Sequence, residues 1–128
     1  MIFDRRASIF LAITALLMAS AIAFGAFGAH GLKKILTPDM LNVFHTGVEY
    51  QFYNTFGLFI ASFLSMLRPY NKKIKLAQYL IVAGTLIFSL SLYLLTILNI
   101  PQLGAITPIG GTLHIIAYLL LCYAILKD

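Results

Sequence analysis

The sequence contains very little charge. Of its 128 residues, 9 are Lys or Arg and 4 are Asp or Glu, so that 10% are charged while 61% are apolar. A soluble domain typically has about 25% charged and about 45–50% apolar residues. The shortage of charge excludes an ordinary soluble domain, a disordered chain and a collagen-like repeat. The composition is that of a protein that lives in a membrane.

Cysteine is almost absent as well. Cys122 is the single cysteine, so neither an intrachain disulfide nor a metal site built on paired cysteines can form. It lies in an apolar run, where we expect a buried structural thiol. The sequence also lacks a phosphate-binding loop, a dinucleotide fingerprint and a nucleophile elbow. We therefore predict no cofactor and no bound metal.

Four long apolar runs occupy most of the chain, at about residues 8–29, 44–67, 76–98 and 105–126. A helix rises 1.5 Å per residue, so about 20 residues cross a hydrocarbon core of about 30 Å. In lipid the backbone must satisfy its own hydrogen bonds, which favours helices. The first run exceeds the roughly 7–15 residues of a signal-peptide core, so we expect it to be retained. The sequence predicts an all-α fold, a bundle of four transmembrane helices in a single domain over residues 1–128.

Capping residues and helix breakers separate the runs. Thr37 and Pro38 are typical of an N-cap followed by the first helical residue, and Thr107 and Pro108 repeat this pattern before the fourth run. The segment Asn99-Ile100-Pro101 ends the third run. We therefore expect the second helix to begin near Pro38, ahead of its apolar run.

The basic residues indicate the orientation of the helices. Seven lie at the N-terminus, in the second loop and at the C-terminus, whereas two lie in the first loop and none in the third. Because short cytoplasmic loops carry an excess of Lys and Arg, this distribution predicts that both termini are cytoplasmic. We interpret the positive charge as a topology signal beside the lipid bilayer and not as a nucleic-acid surface. The seven are Arg5, Arg6, Arg68, Lys72, Lys73, Lys75 and Lys127; the two are Lys33 and Lys34.

Small residues mark the surfaces where helices can pack closely. Ala21, Gly25 and Gly28 form a stripe on the first helix, and such stripes let two backbones approach each other. We expect this stripe to contact the protein's own helices, with Gly84 and the Gly110–Gly111 pair receiving it. A seam between copies in a homo-oligomer, or contact with another membrane protein, is the alternative.

Polar side chains within the spans concentrate in the outer half of the predicted bundle. An ionisable group inside a span costs free energy, which makes it a candidate functional group. His45, Glu49 and Tyr53 follow one another at a spacing of four residues, so they share one face, which we expect to turn toward the other helices. The inner half offers little beyond Ser62, Ser65 and Gln78. The candidate polar or ligand-binding cluster consists of His30, His45, Glu49, Tyr53, Asn54 and His114.

Three classes of function remain open. A structural or partner-binding bundle would use the cluster to fix its packing, with Glu49 dry and hydrogen-bonded. A protein that handles a small ligand, a lipid or protons would present Glu49 and His30 to an outward-facing cavity. An intramembrane enzyme is the least favoured, because Ser89 and Ser91 lie at mid-membrane depth, far from the histidines.

Four short segments together resemble a known family. The segments are 25–32 (GAFGAHGL), 46–53 (TGVEYQFY), 89–93 (SLSLY) and 106–111 (ITPIGG). In this order they are similar to the motifs of small bacterial membrane proteins known as domain of unknown function 423. The resemblance implies a four-helix integral protein of the bacterial inner membrane, and it brings no activity, substrate or catalytic residue.

Three positions depart from the family pattern. Asn54 stands where the family usually has a His, Leu90 replaces a Gly between Ser89 and Ser91, and His114 stands where an aromatic or aliphatic residue is usual. Loss of the first His weakens the case for a proton relay through that position. His114 either compensates for it from a neighbouring helix or is incidental.

Overall fold

The computed structural model describes residues 3–127, which form helices joined by short turns, with no strand in that range. The first helix runs from α1 through a π-helical turn into the short α2, and three long helices follow. Their bounds are α1 Arg5–Ala23, π turn Phe24–Gly28, α2 Ala29–Leu32, α3 Pro38–Leu67, α4 Lys72–Leu98, a 3₁₀ turn Pro101–Ala105, and α5 Thr107–Lys127.

Side-chain caps define the ends of the long helices. The Thr37 hydroxyl accepts a hydrogen bond from the backbone N–H three residues on, at 3.2 Å, and α3 begins at Pro38 as predicted. The Asn71 side chain does the same for α4, at 3.1 Å. At the other end of α4, Asn99 adopts a left-handed conformation (φ 55°), which asparagine tolerates better than most residues.

Within residues 3–127, three segments are long and apolar enough to cross a membrane: Arg5–Leu32, Lys72–Leu98 and Pro101–Lys127. The helix α3 is not among them, although its 30 residues exceed the length that a span requires. The reason lies in its polar residues, of which some, such as Asp39 and Glu49, are exposed and others are buried in the bundle. The buried ones include Gln51, Asn54, Thr55, Ser62 and Ser65.

The helix α4 lies at the centre of the bundle. It packs against both α3 and α5, and α1 packs against α3. The larger apolar core includes Phe10, Leu58, Ile74 and Ile81, with fully buried alanines that bring the helices close. It lies toward the end of the bundle where α1 begins, α3 ends, α4 begins and α5 ends. This basic end carries Arg5, Arg6, Arg68, Lys72, Lys73, Lys75 and Lys127.

Glycines create the closest helix crossing, but their partners differ from the expected ones. A Cβ added to Gly110 would lie 2.7 Å from the Gly84 carbonyl oxygen, so the backbones of α4 and α5 touch there. Gly25 and Gly28 contact side chains of α3, with an added Cβ at 3.2 and 3.3 Å. The expectation that Gly84 and the Gly110–Gly111 pair receive the first helix is therefore wrong. Gly25 and Gly28 thus pack against α3, and Gly84 of α4 packs against Gly110 of α5.

The outer surface of the bundle is largely apolar. Leu16, Phe27 and Leu119 are each more than half exposed, as expected for helices surrounded by hydrocarbon. Cys122 also lies on this exposed surface, so the prediction of a buried thiol is wrong. An apolar run in a membrane helix borders lipid as well as core, and apolarity alone does not distinguish the two sides.

Candidate functional site

Gln51 joins three helices through one side-chain amide. It is 3% exposed, and its Nε2 donates to the Leu17 carbonyl oxygen at 2.8 Å and to Ser20 Oγ at 2.7 Å, both on α1. The Tyr93 hydroxyl on α4 donates to Gln51 Oε1 at 2.6 Å. Both ends of the amide are thus satisfied across helix boundaries. We call Gln51 with Leu17, Ser20 and Tyr93 the Gln51 junction.

Aromatic packing holds Tyr93 in place. Its ring lies 5.1 Å from the rings of both Phe24 and Phe44. Gly47 lies directly against it, since a Cβ added there would be 2.8 Å from the Tyr93 ring. The Gly47 carbonyl oxygen also accepts a hydrogen bond from Ser89 Oγ at 2.7 Å. A residue larger than glycine at position 47 would push α3 away from α4.

The four motif segments meet at this place in the bundle. Gln51 and Gly47 belong to segment 46–53, and Tyr93 and Ser89 belong to segment 89–93. Gly25 of segment 25–32 lies against Val48 of segment 46–53, since an added Cβ would be 3.2 Å from it. Segment 106–111 joins them through a 2.6 Å hydrogen bond between the Ser91 and Thr107 hydroxyls. The shared physical role of the motifs is therefore helix-to-helix attachment in one half of the bundle.

A second group of polar residues lines a groove between α3 and α5. The Tyr118 hydroxyl donates to Asn54 Oδ1 at 2.7 Å, and Asn54 Nδ2 donates to the Tyr50 carbonyl oxygen at 2.8 Å. His114 Nε2 lies 3.1 Å from Thr85 Oγ1. The α3–α5 groove encloses about 580 Å³. Its lining consists of Tyr50, Tyr53, Asn54, Phe56, Gly57, Ile60, Phe88, Gly111, His114, Ile115 and Tyr118.

The structure divides the six candidate residues into two sets. Tyr53, Asn54 and His114 line the α3–α5 groove, so His114 shares this groove with position 54. His30 and Glu49 are exposed, and His45 is half-buried. Within residues 3–127, no group of three or more His, Cys, Asp or Glu side chains comes together as metal ligands would.

The expectation that the His45, Glu49 and Tyr53 face turns inward is wrong, because Glu49 and Tyr53 are exposed. Consecutive residues on a helix are about 100° apart, so two residues separate Glu49 from Gln51 by about 200°. Burying Gln51 therefore turns Glu49 outward.

Sequence reasoning missed the residues that hold the helices together. Gln51, Thr55, Leu58, Ser62 and Ser65 follow one another at spacings of three or four residues and are all buried. A stripe of neutral polar and small residues is typical of helix contacts in membranes. This stripe indicates the inward face of α3, whereas the stripe of His45, Glu49 and Tyr53 does not. Tyr93 and Tyr118 carried no local signal, because their partners lie 42 and 64 residues away.

The all-helical fold, its apolar outer surface and its helices of transmembrane length define an integral membrane protein. Residues 24–111 match the family described as Protein of unknown function (DUF423), and the chain belongs to this family. It is 40% identical over 119 residues to the UPF0382 membrane protein YwdK of Bacillus subtilis, covering 93% of this chain and 97% of that protein.

Two further relatives resemble this chain to about the same degree. A UPF0382 membrane protein of Haemophilus influenzae is 41% identical over 119 residues, covering 93% of this chain and 94% of its own length. One from Staphylococcus epidermidis is 39% identical over 119 residues, covering 93% and 96%. No solved structure matches the chain. The names of these relatives describe membrane proteins and give no activity.

Proposed function

We propose that this protein crosses the bacterial inner membrane four times, with both termini cytoplasmic, and binds a small amphipathic molecule from the bilayer in the α3–α5 groove. The observation that carries the proposal is the groove itself. Its 580 Å³ falls within the roughly 300–1,000 Å³ typical of ligand pockets, which are mostly apolar with a few placed polar groups.

The arrangement of α3 supports its role as the fourth span. Several polar side chains that dilute its apolar character are buried and hydrogen-bonded, as Gln51 and Asn54 illustrate, while Glu49 is exposed. Phe56, Phe59 and Ile60 are exposed, so hydrocarbon would contact aromatic and aliphatic groups on α3. The clustering of basic residues at one end of the bundle supports cytoplasmic termini.

The shape and lining of the groove indicate the class of ligand. Its rim is open to the side of the bundle, since Tyr53 is 59% and Ile115 is 64% exposed. A ligand can therefore enter from the hydrocarbon region without passing through water. The Asn54–Tyr118 pair and His114 offer donors and acceptors for one polar group. The fitting ligand has an apolar or aromatic body and a single hydroxyl or carbonyl group.

Photolabelling in a bilayer tests this proposal. The full chain is reconstituted in nanodiscs with a long-chain fatty alcohol that carries a diazirine, and labelled positions are mapped by mass spectrometry. We expect labelling to concentrate on groove residues of α3 and α5. Gly111→Leu should remove most of it, because an added Cβ at Gly111 meets nothing closer than the Phe88 ring at 3.8 Å and the leucine can fill the groove.

Gly31→Leu provides the matched control. Gly31 lies away from the groove, and an added Cβ there meets no atom within 4 Å, so the same substitution should leave labelling unchanged. Even labelling over all exposed helix faces, or labelling that Gly111→Leu does not reduce, would contradict the proposal.

The sequence predicts that the candidate polar cluster around Glu49 fixes helix packing. This role is better supported for the Gln51 junction, which joins α1, α3 and α4. The homo-oligomer and the membrane-protein partner stay predictions.

A further inference from the structure

The basic end of the bundle contains a second cavity that the proposed function does not use. It has a volume of about 430 Å³ and lies where the start of α1, the end of α3 and the start of α4 meet. We call it the basic-end cavity. Its polar lining consists of Asp4, Arg6, Ser62, Ser65, Lys75 and Gln78.

Arg6 is held in this cavity by its neighbours. Its guanidinium carbon lies 4.7 Å from the centre of the Phe10 ring and 5.5 Å from that of Tyr79, and its Nη1 donates to Ser65 Oγ at 3.2 Å. The second nitrogen, Nη2, is buried and meets no hydrogen-bond acceptor within residues 3–127. A fixed cation therefore retains an unused pair of donor hydrogens.

Gln78, in the same cavity, has an acceptor atom without a donor within residues 3–127. It is 1% exposed, and its Nε2 donates to Ser62 Oγ at 3.0 Å. Its Oε1 is buried and meets no donor in the described part of the chain. Buried polar groups in folded proteins are nearly always hydrogen-bonded. Arg6 and Gln78 both line the basic-end cavity, and each has one buried polar atom with no partner in residues 3–127, which points to a ligand that supplies both partners once the two side chains turn toward it.

We propose that the basic-end cavity binds the head group of a phospholipid, with the phosphate on Arg6 and Lys75 and a head-group hydroxyl or ammonium donating to Gln78 Oε1. Guanidinium and ammonium groups are the usual ligands of phosphate in proteins, and basic pockets between membrane helices bind lipid head groups.

The charge of the cavity favours a phosphodiester. Arg6 and Lys75 contribute two positive charges and Asp4 one negative charge, so one positive charge remains in excess. Asp4 already caps α1 by accepting a hydrogen bond from the Ala7 N–H at 2.7 Å. A singly charged phosphodiester balances this excess, whereas free phosphate at neutral pH carries more negative charge.

The apolar part of the lining favours a lipid as the source of that phosphate. Phe63 and Leu67 line the cavity and are 50% and 63% exposed, so its wall continues onto the outer surface of the bundle. Gln78 lies six residues into α4, which places it about 9 Å along the helix from Lys72. A head group can therefore reach the cavity while its acyl chains stay in the bilayer.

Lipid binding to the purified full-length protein tests the proposal. Native mass spectrometry in detergent follows titration with phosphatidylglycerol, phosphatidylethanolamine, phosphatidylcholine or inorganic phosphate. We expect the first two lipids to bind about tenfold more tightly than phosphatidylcholine, whose head group carries no hydrogen-bond donor. Equal binding of all three lipids would overturn the proposal. Displacement of phosphatidylglycerol by millimolar inorganic phosphate would overturn it too, because a free anion would then be the ligand.

One matched pair of variants and one single variant locate the site. Arg6→Gln should weaken phosphatidylglycerol binding about tenfold, while Arg5→Gln removes the same charge from an exposed position outside the cavity and should change it less than about twofold. Gln78→Met should abolish the preference for phosphatidylglycerol over phosphatidylcholine. Equal weakening by Arg5→Gln and Arg6→Gln would reduce the effect to general surface charge and overturn the proposal. Should Arg6→Gln fail to fold, the lipid series on the unaltered protein and Gln78→Met decide the question.

Discussion

Two glutamines are buried in this bundle, and they differ in how fully their hydrogen bonds are made. Gln51 donates to α1 from one end of its amide and accepts from Tyr93 at the other. Gln78 donates to Ser62, while its Oε1 meets no donor within residues 3–127. The comparison teaches that a polar residue in a membrane helix can serve packing or binding, and that the completeness of its hydrogen bonds separates the two roles.

The two glutamines also differ in how much open space lies beside them: the glutamine with complete hydrogen bonds has less. The cavity beside the Gln51 junction holds about 90 Å³, whereas the basic-end cavity holds about 430 Å³. In lipid no hydrophobic force draws helices together, so helix association depends on close packing and interhelical hydrogen bonds. Filled space and complete hydrogen bonds are therefore expected where helices are joined, and open space where a ligand enters.

The most disruptive change we predict is Gln51→Leu. It removes three interhelical hydrogen bonds, which contribute about 0.6 kcal/mol each on average and about 1.7 at most in a membrane protein, so it should lower the free energy of unfolding by about 2–5 kcal/mol. Unfolding by SDS in mixed micelles, followed by circular dichroism, measures this change. Gln102→Leu is the matched control, because Gln102 is exposed in the turn before α5. Equal effects of the two substitutions would show that the Gln51 junction does not join the helices.

A smaller effect is expected for Tyr93→Phe. The ring and its contacts with Phe24 and Phe44 remain, while Gln51 Oε1 loses its donor. The free energy of unfolding should fall by about 1 kcal/mol. The same SDS titration measures it, with Tyr70→Phe as control, since Tyr70 is 93% exposed. A loss as large as that of Gln51→Leu would mean that the hydroxyl alone holds the junction.

The smallest effect is expected for Gln78→Met. The substitution removes the hydrogen bond to Ser62 but also removes the buried oxygen that lacks a donor, and these contributions oppose each other. In lipid-free detergent we expect the free energy of unfolding to change by less than about 0.5 kcal/mol. A loss comparable to that of Gln51→Leu would contradict the distinction between the two glutamines.

Most helix limits could be predicted closely because they depend on local chemistry. The expected Thr107 cap is the exception, since α5 begins at Thr107 and its hydroxyl donates to the Leu103 carbonyl oxygen. Thr37 and Pro38 start α3, and Asn99 ends α4, through interactions with backbone only a few residues away. The inward face of α3 could not be predicted from its ionisable residues. Glu49 and Gln51 are both polar, and only their rotation relative to α1 and α4 shows that Gln51 points inward while Glu49 points outward.

The candidate sites show the same limit. Asn54 and His114 were chosen because they are polar within apolar runs, and both line the α3–α5 groove. Tyr118 also lines the groove, but tyrosine is usual near membrane surfaces, so its hydrogen bond to Asn54 had no sequence signal. Arg6 was interpreted through its charge alone, and its enclosure by Phe10 and Tyr79 required the packed helices.

The sequence by itself determined the membrane class, the helix limits and the family, because composition, capping residues and short motifs are local properties of the chain. The tertiary structure alone decided which face of each helix is buried, which glycines meet, and where cavities remain. The physical reason is that hydrocarbon and protein core are similarly apolar, so apolar periodicity does not distinguish them. Only the rotation of each helix against its neighbours assigns Gln51 to packing and leaves Arg6 and Gln78 around an open cavity.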